Sequence, residues 1–120
     1  MRRGAAVLAA VLALAALTGC QETRTPTEQA AQWWPASEQA NARCVIHYES
    51  HGDPYVVGSA GERSVLQIHP IHAADFTRLT GKPFSALTDS RLAGQFGYDL
   101  WLRSGRSWRA WSTARVCGLR

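Results

Sequence analysis

The chain has 120 residues, 46% hydrophobic and 18% charged, with a formal charge of +4. That length allows one small domain, and that balance excludes a wholly disordered chain. All but one of the basic residues are arginines, Lys82 being the lysine, and they are scattered rather than clustered, so nothing points to a nucleic-acid patch.

Arg2 and Arg3 precede an uncharged stretch of Ala, Val and Leu from Ala5 to Leu17. Thirteen residues are too few to span a bilayer, which takes about 20. The pattern is that of an export-signal apolar region, and because the two arginines lack the fuller context of a twin-arginine signal, the general export route is expected. It runs into Leu17-Thr18-Gly19-Cys20, which resembles a bacterial lipobox. That likeness implies lipidation of Cys20, removal of residues 1–19 and an extracytoplasmic protein anchored to the membrane through acyl chains. Cleavage by an ordinary signal peptidase, with Cys20 incidental and the protein secreted, is the alternative. Processing removes Arg2 and Arg3 and leaves a formal charge of +2.

With Cys20 assigned to lipid, Cys44 and Cys117 remain in the exported part. Disulfides persist there, and a small domain gains most from such a staple. A Cys44–Cys117 bridge is expected, with two unpaired buried thiols as the alternative.

Residues 20–32 are polar, without apolar periodicity, and read as a tether. Trp33-Trp34-Pro35 marks the start of the domain, 33–120. Ser37 is the expected cap of a first helix, with Ala40, Cys44, Val45 and Tyr48 on its buried face. Gly52-Asp53-Pro54 stops it. Two β-prone pieces follow, Tyr55–Val57 and Val65–Ile68, joined by a turn over Gly58 to Gly61. Pro70 begins a second helix that ends before Gly81. Thr88 or Asp89 caps a third, in which Leu92, Phe96 and Leu100 recur every four residues until about Ser104. The tail from Trp108 to Cys117 reads as a short turn or helix locked by the bridge, with Trp108 and Trp111 as packing. The expected fold is mostly α, a small helical domain with a short β element after its first helix.

Glu49 falls in the last turn of that first helix. The negative end of the helix dipole disfavours a carboxylate there, and apolar neighbours add to the effect. A glutamate with a raised pKa suits general-acid work near neutral pH, whereas an ordinary solvated glutamate would do nothing. The residues around it sharpen the choice. Glu49-Ser50, Asp53-Pro54, Val57, Ala60-Gly61, Gln67 and Pro70 resemble the soluble lytic transglycosylase and goose-type lysozyme superfamily. That pattern runs Glu-Ser, Asn-Pro, Ala-Val, Ala-Gly, then Gly-Leu-Met-Gln and Pro. The spacing fits from Glu49 to Pro70 without a gap. Leu87, Asp89 and Tyr98 fall where that superfamily tends to place a Leu, an Asp and a helix tyrosine, and the tail of Trp101, Gly105, Trp108, Trp111 and Cys117 is similar to short actinobacterial members.

The resemblance implies an α+β lysozyme-like fold and cleavage of the β-1,4 bond between N-acetylmuramic acid and N-acetylglucosamine in peptidoglycan. Glu49 matches the catalytic acid. Ser50, Ser59, Gln67 and Tyr98 are the candidate substrate-binding residues. No cofactor is implied, and the expected partners are glycan strands and, through Cys20, the membrane. The protein is expected to be a monomer. Four departures stand out: Ser64 replaces the glycine of the Gly-Leu-Met-Gln block, Gly58 replaces a cleft serine, Arg91 replaces an asparagine, and the later Ala-x-Asn-Tyr motif is missing.

Among Asp53, Glu62, Asp75, Asp89 and Asp99, nothing singles out a second carboxylate. A lone acid suits a lytic transglycosylase, in which the substrate's own groups complete the reaction; a hydrolase with a distant carboxylate is the variant. His47 and His51, and His69 and His72, have spacings that could hold a metal, but Glu49 sits two after His47 and so breaks the zinc-protease pattern. Rim histidines are the expectation, with no metal. The rivals are a wall-binding lipoprotein that keeps the fold without turnover and a metal-binding exported module.

Overall fold

The computed structural model describes residues 23–120, so the expected signal segment and Cys20 lie outside the described residues. The protein is mostly helical. Among the described residues, four α-helices are joined by loops and three short 3-10 turns: α1 (Pro26–Ala31), α2 (Ala36–Ser50), α3 (Ala73–Thr80) and α4 (Ser90–Arg103). No helix among the described residues is long and apolar enough to cross a membrane.

α1 corrects the expected tether over 20–32. The Thr25 hydroxyl accepts from the Glu28 amide at 3.2 Å, and Pro26 opens the first turn. Ala30 and Ala31 are fully buried. A Cβ on Gly94 of α4 would lie 2.4 Å from the Ala30 carbonyl oxygen, so only glycine lets the two backbones approach so closely. The apolar contact rests on small residues, which carry no sequence periodicity.

α2 starts where expected, but Pro35 rather than Ser37 occupies the cap position, and no side chain caps the helix. Its inner face also differs. Ala42, Val45, Ile46 and Ser50 are buried, whereas Ala40 is exposed and Tyr48 is 48% exposed. The helix ends as His51 turns left-handed at φ 54°. Asp53 then accepts from the Tyr55 amide at 2.8 Å, an Asx turn before the loop.

The expected β element is reduced to two isolated antiparallel bridges, Val57 with Arg63 and Arg63 with Ile68. The loop is too tightly wound to extend them. Gly61, Ser64 and Gln67 all take positive φ, which breaks strand geometry every three residues.

α3 follows a 3-10 turn at Pro70–His72 and stops at Gly81, φ 70°. Asp89 caps α4, accepting from the Arg91 amide at 2.9 Å. α4 is the central helix; it buries Ala93, Phe96, Leu100 and Trp101. Phe76 of α3 meets Phe96 edge-on, with centroids 5.4 Å apart.

The tail closes over α2. Trp34 is 1% exposed and stacks on Trp108 at 5.2 Å. Trp108 donates its indole N–H to Glu38 Oε2 at 3.0 Å, and Trp111 donates to the Leu66 carbonyl at 2.9 Å. Cys44 and Cys117 form a disulfide with Cα atoms 6.0 Å apart.

Candidate active site

Two walls position Glu49 at the end of α2. One is the loop of residues 52–69. The other is the tail, whose Ser112–Arg115 turn brings Thr113 over the helix end. Thr113 Oγ1 donates to Glu49 Oε1 at 2.6 Å. The carboxylate is half-buried between them. Burial pushes its pKa above the ordinary glutamate value, and the nearby negative charge of Glu62 pushes it further up. The Thr113 hydrogen bond opposes both, because it favours the ionised form. The net effect favours the protonated form, the one a general acid needs.

Glu62 is thus the carboxylate that the fold brings to Glu49. It stood among five in the sequence with nothing to distinguish it. Its own place is set by the turn: Glu62 Oε2 accepts from the Ala60 amide at 3.2 Å, and the Glu62 carbonyl accepts from the Gly58 amide at 2.8 Å. A Cβ on residue 58 would fall 2.0 Å from Glu62 Oε2 and 2.8 Å from Gln67 Oε1. A side chain at 58 would therefore displace the Glu62 carboxylate and the Gln67 amide oxygen from their places over the turn.

Ser50 and Gln67, expected to meet substrate, serve as braces. Ser50 is buried. Its Oγ lies 2.8 Å from the Val65 carbonyl and 3.1 Å from the Ile46 carbonyl, and it accepts from the Gly52 amide at 3.1 Å. Gln67 Nε2 donates to the Val56 carbonyl at 3.0 Å and the Ser64 carbonyl at 2.9 Å, which ties the loop across its neck. Only the Oε1 side of Gln67 remains, facing Gly58 and Glu62. Ser64 sits at φ 72°, the left-handed region that favours glycine, with its side chain buried and its hydroxyl unpartnered.

Ser59 is exposed on the turn next to Gly58. Tyr98 is not gathered with this group. Its ring stacks on Trp101 at 5.8 Å and meets Trp34 edge-on at 5.8 Å. It lines a pocket with Trp33, Leu79 and Leu102 that does not include Glu49. Thr113 was missed from sequence, since nothing local distinguishes it from any tail threonine.

The histidines fall in two places. His47 and His51 lie ring to ring at 4.9 Å on the outer side of α2. His69 Nδ1 accepts from the Ile71 amide at 3.1 Å, and His72 packs edge-on against Phe96. Burial, then the charge of Arg103, lowers the His72 pKa. Among the described residues, no three of His, Cys, Asp or Glu come together as a metal site would require.

No known protein family, curated protein or solved structure matches this chain.

Proposed function

We propose that this chain is a cell-wall glycosidase that cuts the β-1,4 bond between N-acetylmuramic acid and N-acetylglucosamine, with Glu49 protonating the glycosidic oxygen. The observation that carries the reading is the half-buried Glu49, held by Thr113 at 2.6 Å and biased toward its protonated form. The helical frame, with a bridged loop after the helix that ends in Glu49, supports a lysozyme-like fold. The lipobox supports a protein held at the outer face of the membrane through Cys20.

The reaction is read as that of a lytic transglycosylase: Glu49 donates its proton to the leaving oxygen as the C1–O bond breaks, and the sugar's own 6-hydroxyl bonds to C1 to close a 1,6-anhydro end, returning its proton to the Glu49 carboxylate. Hydrolysis is the second reading, and one observation favours it. Glu62 is close enough for its charge to raise the Glu49 pKa, so a second carboxylate is available to activate water. Ser64 holds the left-handed backbone angle that favours glycine, so that angle is compatible with a side chain here. This weakens the rival reading of a wall-binding lipoprotein without turnover.

The test incubates the purified protein and its Glu49→Gln variant with peptidoglycan and weighs the released fragments. The expected result is release by the native protein and at least about a 100-fold loss in the variant, the lower bound for a positioned proton donor. Fragments lacking one water would assign the lytic route; fragments retaining it would assign hydrolysis. Binding of the wall by both proteins, with release by neither, would overturn the enzyme reading in favour of a binding module.

A further inference from the structure

The tail that holds Glu49 has a second side. An open groove there is lined by Arg109, Arg115 and Arg120, with Ser107 and Ser112 between them, and no acidic side chain lines it. Among the described residues the ion pairs belong to Arg43, Arg78 and Arg103. None involves the three groove arginines. Arg109 reaches only the Ser104 carbonyl, at 3.4 Å. Three arginines without an acidic partner thus share one concavity. A guanidinium presents a planar fork of donors that matches a carboxylate bidentately.

The groove is in register with Glu49. Ser112 and Ala114 line it, and they flank Thr113, whose hydroxyl holds the Glu49 carboxylate. The groove and the Glu49 contact are thus built on the same turn of the tail. The sugar backbone of the wall glycan is uncharged. Its carboxylates lie on the peptide branches attached to the muramic acid, the sugar beside the bond to be cut.

We propose that this groove binds the carboxylates of the peptide branches of the wall glycan, so that the enzyme selects strands still carrying peptides. The inference rests on the glycosidase reading and names the substrate class of the same site. Ala110 and Leu119 on the groove walls offer apolar contact to the alanine methyls of such a branch. The groove thus reads the branch while Glu49 acts on the backbone.

The test measures binding of the free branch peptide to the full protein. Its comparisons are the same peptide with carboxylates amidated, a neutral unbranched chito-oligosaccharide and a glycerol-phosphate polymer. The variant is Arg109→Ala with Arg115→Ala. Both positions are exposed and unpaired with any acid, and a thermal melt checks that the fold is kept. The expected result is that the free peptide binds the native and Glu49→Gln proteins alike, at least about tenfold more weakly to the double variant, with affinity falling as salt rises. Amidation should reproduce the loss on the native protein, which needs no variant at all. The neutral oligosaccharide should be indifferent to the arginine changes. The inference is overturned by a peptide that does not bind, by binding that survives both the double variant and amidation, or by tighter binding of the phosphate polymer. Free-peptide binding requires no bond cleavage. Peptide binding without fragment release would sink the glycosidase reading alone, and release without peptide binding would sink the groove alone.

Discussion

The two walls around Glu49 are built by opposite means. The loop of residues 52–69 is wired through its backbone. Arg63 and Ile68 exchange both amide hydrogen bonds at 2.9 and 3.0 Å, Gln67 laces its neck, and Ser50 anchors it to α2. Two of its non-glycine residues, Ser64 and Gln67, are held at positive φ. The tail of residues 108–117 is instead packed and stapled: two buried indoles with paired N–H groups, and a disulfide to α2. The difference extends to chemistry. The loop contributes a charge, Glu62, that raises the Glu49 pKa, and the tail contributes a donor, Thr113, that lowers it. A wall that is wired holds a precise turn at the expense of strain. A wall that is packed tolerates no looseness in its core but needs no unusual backbone.

The largest break in that comparison removes the staple. The bridge joins residues 73 apart, and the chain-entropy account of such a loop gives about 4 kcal/mol. Replacing Cys44→Ala and Cys117→Ala together should lower the unfolding free energy by roughly that amount, a large fraction of the total for a domain of this size. Denaturant unfolding measures it. A loss below about 1 kcal/mol would mean that the tryptophans alone hold the tail, and that the staple is incidental to Thr113 reaching Glu49.

The packed wall and the wired wall were also unequally legible. The helices over 70–80 and 90–103 could be read from Pro70, Gly81, the Asp89 cap and periodicity, and the one over 36–50 from its Gly52-Asp53-Pro54 stop, since each of those signals is local. α1 could not, because its contact is made by Ala30 against Gly94, where the informative feature is the absence of side chains. The inner face of α2 was misphased because the helix is largely polar, and Tyr48, apolar by type, points outward. At the site, the helix end made Glu49 a candidate, and only the resemblance of the residues around it singled it out. Ser50 and Gln67 stand in the helix end and the loop beside it, where the Ser50 hydroxyl and the Gln67 Nε2 group bond to backbone rather than standing free. Thr113 is 64 residues from Glu49, and no local pattern links them. The expected disulfide held the only clue: Thr113 precedes Cys117 by four residues, and Glu49 follows Cys44 by five, so the bridge brings their two segments together.

A smaller effect of opposite sign is expected in the wired wall. A non-glycine residue in the left-handed region costs about 1–2 kcal/mol, and the unpartnered buried hydroxyl of Ser64 adds to that. Glycine gives back part of this through a more flexible unfolded chain, about 0.4–1 kcal/mol. Ser64→Gly should therefore stabilise the protein by about 1 kcal/mol, read as a higher denaturation midpoint with an unchanged slope. Destabilisation would show that the Ser64 side chain fills space the loop needs, and that the wired wall is packed after all.

The finest test moves the proton without moving the fold. A general acid works while protonated, so activity should fall as pH rises through the Glu49 pKa. Removing the tail's donor by Thr113→Val deletes the contact that favours the carboxylate, so the pKa rises and the alkaline limb of the activity profile moves to higher pH. Glu62→Gln deletes the neighbouring negative charge, so the pKa falls and the same limb moves to lower pH. Stability carries the same signature. A carboxyl whose folded pKa is raised contributes stability that is fully present below its unfolded value and lost as pH climbs through the folded one. Glu49→Gln, a neutral group of the same shape that can still accept from Thr113, should therefore melt higher than the native protein above that window and no higher below it. Limb shifts of the same sign in Thr113→Val and Glu62→Gln would contradict the division of labour between the walls. So would a limb that ignores both, because Glu49 would then not be the group whose proton sets the rate.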